Sequence, residues 1–387
     1  MTIRRGFVDE LCRRLRERLN FIQVVIGPRQ VGKTTGIRQL VETWDGPTHS
    51  VTADEVAPPV SSWIEVNWRA AQAMGPGTVL ILDEVQKIPN WSSVVKRLFD
   101  AGRPDRALNV VLLGSASLTL QQGLADSLAG RYELIRADHW DLGECSRAFG
   151  WDLNTFLKFG GYPGAAELTA DVIRWRAFIR DAIVEPVLLK DLLAMTAIAK
   201  PALFRQTFEL ALSYPAQEVS LQKLLGQLQE SGNVSTIKHY LDVFEGAFLL
   251  RALQKYSGSE VRKRGSSPKL VPLNNALVGA FRDPADCDRD PDWRGRLFEA
   301  AVGAALCRRE HSVYYWRDGR YEVDYVVDTG KRLLAIEVKS GRVRRTGGLA
   351  AFTARYPAAV PVILDSRKAE RLLRGETLER ALGLPAM

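Results

Sequence analysis

The chain is short of cysteine, with four among 387 residues: Cys12, Cys145, Cys287 and Cys307. No two stand close enough to read as half of a zinc site, so free thiols in a reducing compartment are expected. Long hydrophobic runs are also lacking. No segment approaches the roughly 20 apolar residues that a membrane helix needs. The opening residues, MTIRRGFVDELCRRLRERL, have no apolar centre of the kind a signal peptide carries. A cytoplasmic location without membrane contact is the resulting expectation. Internal repeats and low-complexity tracts are missing as well.

What is present is ordinary for a soluble protein: 46% hydrophobic and 25% charged residues. The length suits two or three domains, each able to bury a core. The net charge of +8 is compatible with nucleic acid or acidic lipid as a partner, or simply with a basic surface.

The strongest motif lies in FIQVVIGPRQVGKTTGIRQLV. An apolar strand, Phe21 to Ile26, leads into Gly27-Pro28-Arg29-Gln30-Val31-Gly32-Lys33-Thr34, which fits G-x-x-x-x-G-K-[ST] in full. A helix starting near Lys33 completes the strand–loop–helix setting. Glycines let backbone N–H groups wrap around phosphate oxygens, and the helix N-terminus adds partial positive charge. Residues 27 to 34, with Thr35, are therefore expected to hold ATP. Lys33 reaches the β- and γ-phosphates, and the Thr34 hydroxyl sits on Mg²⁺.

Such a site also needs acid. TVLILDEVQ supplies it, as an apolar strand ending in Asp83-Glu84. A run this apolar reads as a strand buried on both faces of a parallel sheet, whose C-terminal end faces the ligand crevice. Asp83 is assigned to Mg²⁺ and Glu84 to orienting the attacking water. LNVVLLGSASL adds a strand ending near Ser115, either a γ-phosphate sensor or a capping residue. LADSLAGRYEL places Arg131 before a last strand, Tyr132 to Arg136, either as a stabiliser of phosphoryl charge or as a surface arginine.

GPRQVGKTT, LILDEVQKIPNW, LLGSASL and LAGRYEL together resemble the AAA-type P-loop ATPases of bacteria and archaea. The group in question carries a C-terminal domain of unknown function with a nuclease-like fold. LKFGGYPGA and VEPVLLKDLL resemble its linker region, so the resemblance runs from about Arg5 to Leu364. It implies ATP binding and a Mg²⁺-dependent ATPase domain. Relatives often form rings in which an arginine reaches a neighbouring subunit, so a homo-oligomer or a protein partner stays open. Ser115 departs from the amide side chain common at its position.

The middle of the chain reads as helical from Asp152 to Met195, with a break at Pro186. SLQKLLGQLQESGNVSTIKHYLDVFEGAFLLRALQKYS then gives a helix capped by Ser220 through about Gln229, a Gly232-Asn233 turn, and a helix capped by Ser235 through about Glu245. A β-like stretch, Phe248 to Lys255, comes next. The order resembles a winged helix-turn-helix, with Thr236, Lys238 and His239 facing a DNA groove. Arg262, Lys263, Arg264 and Lys269 form the wing and contact phosphates, unless the same geometry serves protein contacts.

The last segment opens with an amphipathic helix that starts near Asp292 to Gly295 and carries Glu299 within it. SVYYWRDGRYEVDYVVD gives two strands turning at Asp318-Gly319, and RLLAIEVKS the next strand, on which Glu337 and Lys339 project together. This order resembles the PD-(D/E)xK nuclease-like fold, although Val323 stands where the family name has proline. The resemblance implies that Asp324 and Glu337 bind Mg²⁺, that Lys339 steadies the attacking hydroxide, and that Glu299 completes the acidic cluster. Arg342, Arg344 and Arg345 form a basic run that either tracks a nucleic-acid backbone or is a solvated loop.

The expected architecture is α/β throughout: a P-loop ATPase domain over 1–150, a helical linker with a winged helix over 151–275, and a nuclease-like domain over 276–387. Three functions fit it. One is an ATPase that switches a DNA-associated C-terminal module, another an ATP-regulated Mg²⁺-dependent nuclease. The last is an ATP-gated, toxin-like interaction protein whose C-terminal part is not catalytic.

Overall fold

A computed structural model describes residues 3–17, 19, 21–56, 58–102, 108–115, 118–192, 198, 200–230, 232–257, 266–308, 311–340 and 347–384, with the backbone alone at 115, 118–122, 190 and 191. The chain forms two compact units, Met1–Asp138 and His139–Met387.

The first unit is built on five parallel strands: β1 (Ile22–Gly27), β2 (Thr48–Thr52), β3 (Thr78–Asp83), β4 (Leu108–Ser115) and β5 (Tyr132–Arg136). Their order across the sheet is β2-β3-β4-β1-β5. Parallel strands need helical crossovers, and α1 (Gly6–Arg16), α2 (Lys33–Thr43), α3 (Ser62–Ala73), α4 (Trp91–Ala101) and α5 (Leu118–Ser127) flank them in sequence. Every residue of β1 is buried, as an apolar run between two helical layers requires. On one face Val25, Val79, Ile81, Val111, Leu113 and Ile135 pack against Phe7, Val8 and Leu11 of α1 and Ile37 and Leu40 of α2.

The second unit begins with helices Leu142–Phe149, Leu153–Phe159 and Val172–Phe178. The last of these continues with widened, π-type turns through Ile179–Val184 and Pro186–Leu192. Pro186 lacks an N–H, so the ordinary helical ladder cannot run through it. A helix Pro201–Leu212, strand β6 (Gln217–Glu218), and helices Leu221–Leu225 and Val234–Gly246 come next, then β7 (Leu250–Leu253) and β8 (Lys269–Pro272). These strands form an antiparallel sheet ordered β6-β8-β7.

Two local details differ from the sequence expectation. The first helix ends at Leu225, with Gly226 after it, instead of reaching Gln229. The second is capped by Asn233, whose Oδ1 accepts from the Thr236 N–H at 2.8 Å, and not by Ser235. Asparagine is at least as good an N-cap as serine, and it stands at the position from which its oxygen reaches the first free amides.

A helix Pro291–Cys307 leads into β9 (Ser312–Asp318), β10 (Tyr321–Asp328) and β11 (Leu333–Val338), then a helix Gly347–Arg355 and β12 (Ala359–Leu364). The sheet order is β12-β11-β10-β9, with β11 and β12 parallel and the other pairs antiparallel. The β9–β10 hairpin turns at Gly319, whose φ of 56° suits glycine. The two sheets of this unit are stitched together. Lys255, just past β7, bridges Tyr315 of β9, and the Tyr256 N–H donates to the Tyr315 carbonyl at 2.7 Å. That continuity ties together the parts before and after position 275 within one compact unit.

Gly27 sits where β1 meets the strand-end backbone at Ala137. A Cβ there would lie 2.1 Å from the Ala137 carbonyl oxygen, a backbone atom with no flexible end to move. Gly27→Ala is therefore expected to destabilise the first unit by about 1–3 kcal/mol, checked by urea unfolding. An unchanged midpoint would show that this packing is looser than described.

Candidate functional site

The phosphate loop leaves β1 at its C-terminal end. Gln30 and Gly32 adopt left-handed conformations, with φ of 61° and 87°. That backbone turns successive N–H groups toward one concavity, the arrangement that binds anions. Lys33 opens α2, and Thr34 and Thr35 stand on its first turn, both exposed. The Lys33 ammonium donates to the carbonyls of Gly27 at 2.9 Å and Pro28 at 2.7 Å. Burial pulls its pKa down to about 8, against the opposing pull of the Glu84 and Asp83 carboxylates. Pro28 and Val31 are buried, whereas Gln30 is exposed and Arg29 half-buried.

A residue that sequence reasoning missed supports this loop. Arg5, immediately before α1, is 6% exposed. Its guanidinium donates to the Val31 carbonyl at 3.0 Å and the Asp138 carbonyl at 2.8 Å. Nothing in the arginine-rich opening stretch distinguishes Arg5 from its neighbours.

The acids come from β3. Strand β4 lies between β1 and β3, and the register sets Gly27 beside Ser115 and Asp83 beside Leu113. Loop and carboxylates therefore share the C-terminal edge of the sheet. Asp83 Oδ1 accepts from the Glu84 N–H at 2.9 Å. Burial, and then the Glu84 charge, raise the Asp83 pKa. Glu84 itself is left-handed, with φ of 52°, a conformation uncommon for a residue with a side chain. Its Oε2 accepts from Gln86 Nε2 at 2.5 Å. Backbone outliers held by a neighbouring hydrogen bond cluster at functional sites.

Mg²⁺ fits this donor set. Thr34 and Asp83 offer the hard oxygens it prefers, and the raised Asp83 pKa marks negative charge that a cation would relieve. Ser115 has its backbone level with Gly27, but its side chain lies outside the described residues. Arg131 is a correction. It precedes β5, and Tyr132 pairs with Ile22, the start of β1. Arg131 thus sits at the opposite edge of the sheet, about 16 Å of strand from the loop. There it forms a fork on Asp100 at 2.8 and 2.9 Å. In parallel strands, a residue before a strand faces away from the crevice, so Arg131 cannot act in its own site.

In the second unit, the acids expected from the hairpin do converge. A register shift in β10 between Val323 and Val326 brackets Asp324. Bulges of this kind re-aim side chains. Asp324 Oδ2 accepts from the Val338 N–H at 2.7 Å, and Glu337 accepts from Lys339 at 2.5 Å. Glu299 faces the same centre from its helix, within ion-pair distance of Lys269. Burial raises the pKa of Glu299, and burial together with the Asp324 charge raises that of Glu337.

Lys269 overturns an expectation. The sequence makes it a wing residue reaching phosphates, yet it is 1% exposed. Its side chain enters the acidic cluster, with Nζ 2.5 Å from Glu299 Oε1 and 3.1 Å from the Asp324 carbonyl oxygen. The sequence does carry a signal for this: Lys269 heads the apolar stretch Leu270-Val271-Pro272-Leu273, which has to be buried. Among the described residues, no group of three or more His, Cys, Asp or Glu is arranged to hold a metal ion.

Lys238 and His239 are exposed on the helix Val234–Gly246, while Thr236 is half-buried. Arg262, Lys263, Arg264, Arg342, Arg344 and Arg345 lie outside the described residues. No helix among the described residues is long and apolar enough to cross a membrane.

Residues 20–145 match the family model of an AAA domain, and residues 150–286 and 294–383 match two domains of unknown function, DUF8612 and DUF4143. An uncharacterized protein of Mycobacterium tuberculosis is 28% identical over 346 residues, covering 84% of this chain and 72% of that protein. One from Methanocaldococcus jannaschii is 24% identical over 272 residues, covering 64% of this chain and 58% of its own. Among solved structures, a Walker-type ATPase of Pyrococcus abyssi superposes with a TM-score of 0.52 at 12% identity, covering 73% of this chain and 96% of that one. The parallel five-stranded sheet, its glycine loop and the matched model agree: residues 20–145 carry the fold of an AAA-type P-loop NTPase.

Proposed function

We propose that this protein binds and hydrolyses Mg²⁺-ATP in the crevice of its first unit, and that nucleotide state governs contacts its second unit makes with duplex DNA. The observation that carries the first part is Lys33. Its ammonium lies among loop carbonyls and within the field of the Glu84 and Asp83 carboxylates.

The chemistry rests on those positions. Lys33 exchanges its bonds to Gly27 and Pro28 for β- and γ-phosphate oxygens. The amides of residues 27 to 34 and the N-terminus of α2 receive the remaining charge. Thr34 and Asp83 would hold Mg²⁺, which when bound neutralises charge on the phosphates. Glu84, fixed by Gln86 and by its own backbone, orients the attacking water and accepts its proton. Ser115, at the end of the intervening strand, is the candidate sensor of the γ-phosphate. A cation for the transferring phosphoryl group would come from elsewhere than Arg131, a neighbouring copy included.

Support for the DNA reading comes from the second unit. A helix, the two-residue strand β6, two helices joined by a turn, and then β7 and β8, in a three-stranded antiparallel sheet ordered β6-β8-β7, follow the order of a winged helix-turn-helix. Lys238 and His239 are exposed on the helix that would enter a groove. At the root of the β7–β8 connection a cavity of about 440 Å³ is lined by Lys255, Tyr256, Trp316, Arg317, Asp318 and Arg355, with Arg355 paired to Asp318 and Arg317 to Glu218.

Lys33→Ala is expected to abolish ATP binding. Glu84→Gln should keep binding but lower turnover by about 10²–10⁴-fold. Wild-type turnover in the glutamine variant would remove Glu84 from its role.

The Lys33 pKa gives a pH test. Below pH 8 the ammonium is charged with or without ligand, so affinity does not depend on its titration. Above that, ATP binding must take up a proton. The Kd should therefore rise by up to about tenfold per pH unit, measured with a fluorescent ATP analogue between about pH 7 and 9.5. A flat profile would mean Lys33 keeps its ordinary basicity.

Reversing Arg262, Lys263 and Arg264 to glutamate should reduce the log–log salt dependence of duplex binding by about 3. Equal binding by wild type and the triple variant would count against the wing. No binding in either nucleotide state would favour a protein partner.

A further inference from the structure

The acidic centre of the second unit is the arrangement that the ATPase reading leaves unexplained. Four carboxylates, Glu299, Glu322, Asp324 and Glu337, face two ammonium groups, Lys269 and Lys339. Lys339 is the lysine a nuclease-like strand would supply, and it pairs with Glu337. Lys269 comes from a different sheet. Its Nζ is 2.5 Å from Glu299 Oε1 and 4.0 Å from both Glu322 Oε1 and Asp324 Oδ1. The same atom donates to the Asp324 carbonyl at 3.1 Å and lies 4.8 Å from the centre of the Tyr325 ring. The Tyr325 hydroxyl in turn donates to the Glu299 carbonyl at 2.8 Å.

We propose that the Lys269 ammonium is the resident cation of this centre and stands where a nuclease of this shape would hold a divalent metal ion, so that the second unit binds its partner without cutting it. A metal ion between Glu299 and Asp324 would have to displace a buried ammonium that has carboxylate, carbonyl and ring-face partners. Lys269 has no open solvent to swing into. Its backbone is paired on both edges, with Glu218 of β6 and Leu253 of β7, and its side chain is sealed from solvent. Burial works against its charge, but the Glu299 and Asp324 carboxylates outweigh it and hold its pKa above the ordinary lysine value. Ammonium and divalent cation thus compete for one set of oxygens, and the covalently attached ion has the advantage of permanent proximity.

The test is Mn²⁺ binding to the full-length, nucleotide-free chain, read from the free-ion electron paramagnetic resonance signal. All proteins carry Asp83→Asn, so that the nucleotide crevice contributes no ion. On that background, adding Asp324→Asn should change nothing. Lys269→Met, which keeps an apolar stem and removes the charge, should gain one Mn²⁺ bound at least about tenfold more tightly than any ion on the parent. That ion should be lost when Asp324→Asn is added. A tight ion on the parent protein that Asp324→Asn removes would overturn the proposal. So would a Lys269→Met protein with a native circular dichroism spectrum and no gained ion. If Lys269→Met fails to fold, the parent against Asp324→Asn comparison still decides, together with plasmid nicking in Mg²⁺ by the unmutated chain. Nicking that Asp324→Asn abolishes would refute the proposal, and absent nicking with no Asp324-dependent ion would sustain it. ATP hydrolysis by the unmutated chain is measured separately, so the outcome here is distinct from the fate of the ATPase reading.

Discussion

The first unit depends on how one ammonium group is satisfied. Lys33 is half-buried, and its stand-in partners are two carbonyls of the loop it belongs to. Carbonyl dipoles are weaker partners for a cation than charged oxygens, so a polyphosphate can take their place. The loop must keep its shape whether or not Lys33 is using it. Arg5 provides that by gripping the Val31 carbonyl, and the left-handed turns at Gln30 and Gly32 do the rest. Binding then becomes an exchange of partners on a fixed frame, which keeps its entropic cost low.

Lys269 is the opposite solution to the same physical problem. It too is a lysine that opens its element, β8 where Lys33 opens α2, with acid and carbonyl oxygen around it. Its partners include a carboxylate at bonding distance, and solvent is shut out. An ammonium held in this way is costly to remove, because unpaired carboxylates would stay behind in a poorly solvated site. One lysine is placed to trade partners and the other to keep them, and the difference lies in burial and in the charge of the first neighbour.

Much of this is legible in the sequence where a local pattern carries a local meaning. The glycine loop, the apolar strand ending in Asp83-Glu84, and the alternation that aims Glu337 and Lys339 together are each set by neighbours a few residues away. The features that escape a reading of the sequence depend on direction or on distant packing. Arg131 adjoins a strand of the right sheet but at its wrong end, a fact that emerges only from all five strands running parallel. Lys269 sits next to a basic loop and reads as part of it, until the sheet ordered β6-β8-β7 turns it inward. Arg5 gains its role from a carbonyl 26 positions along the chain, and no local pattern encodes that. The Asn233 cap is a closer miss, since two good capping residues stand two positions apart.

The bridge between Lys255 and Tyr315, with the bond from Tyr256, has a consequence for how this protein can be inherited. It joins the edges of two sheets whose sequences would otherwise read as separate modules. A gene fusion or truncation at about position 275 would expose unpaired strand edges on both fragments, and bare edges invite aggregation. The part before position 275 and the acidic sheet after it are thus tied by main-chain hydrogen bonds that a cut between them would leave unpaired.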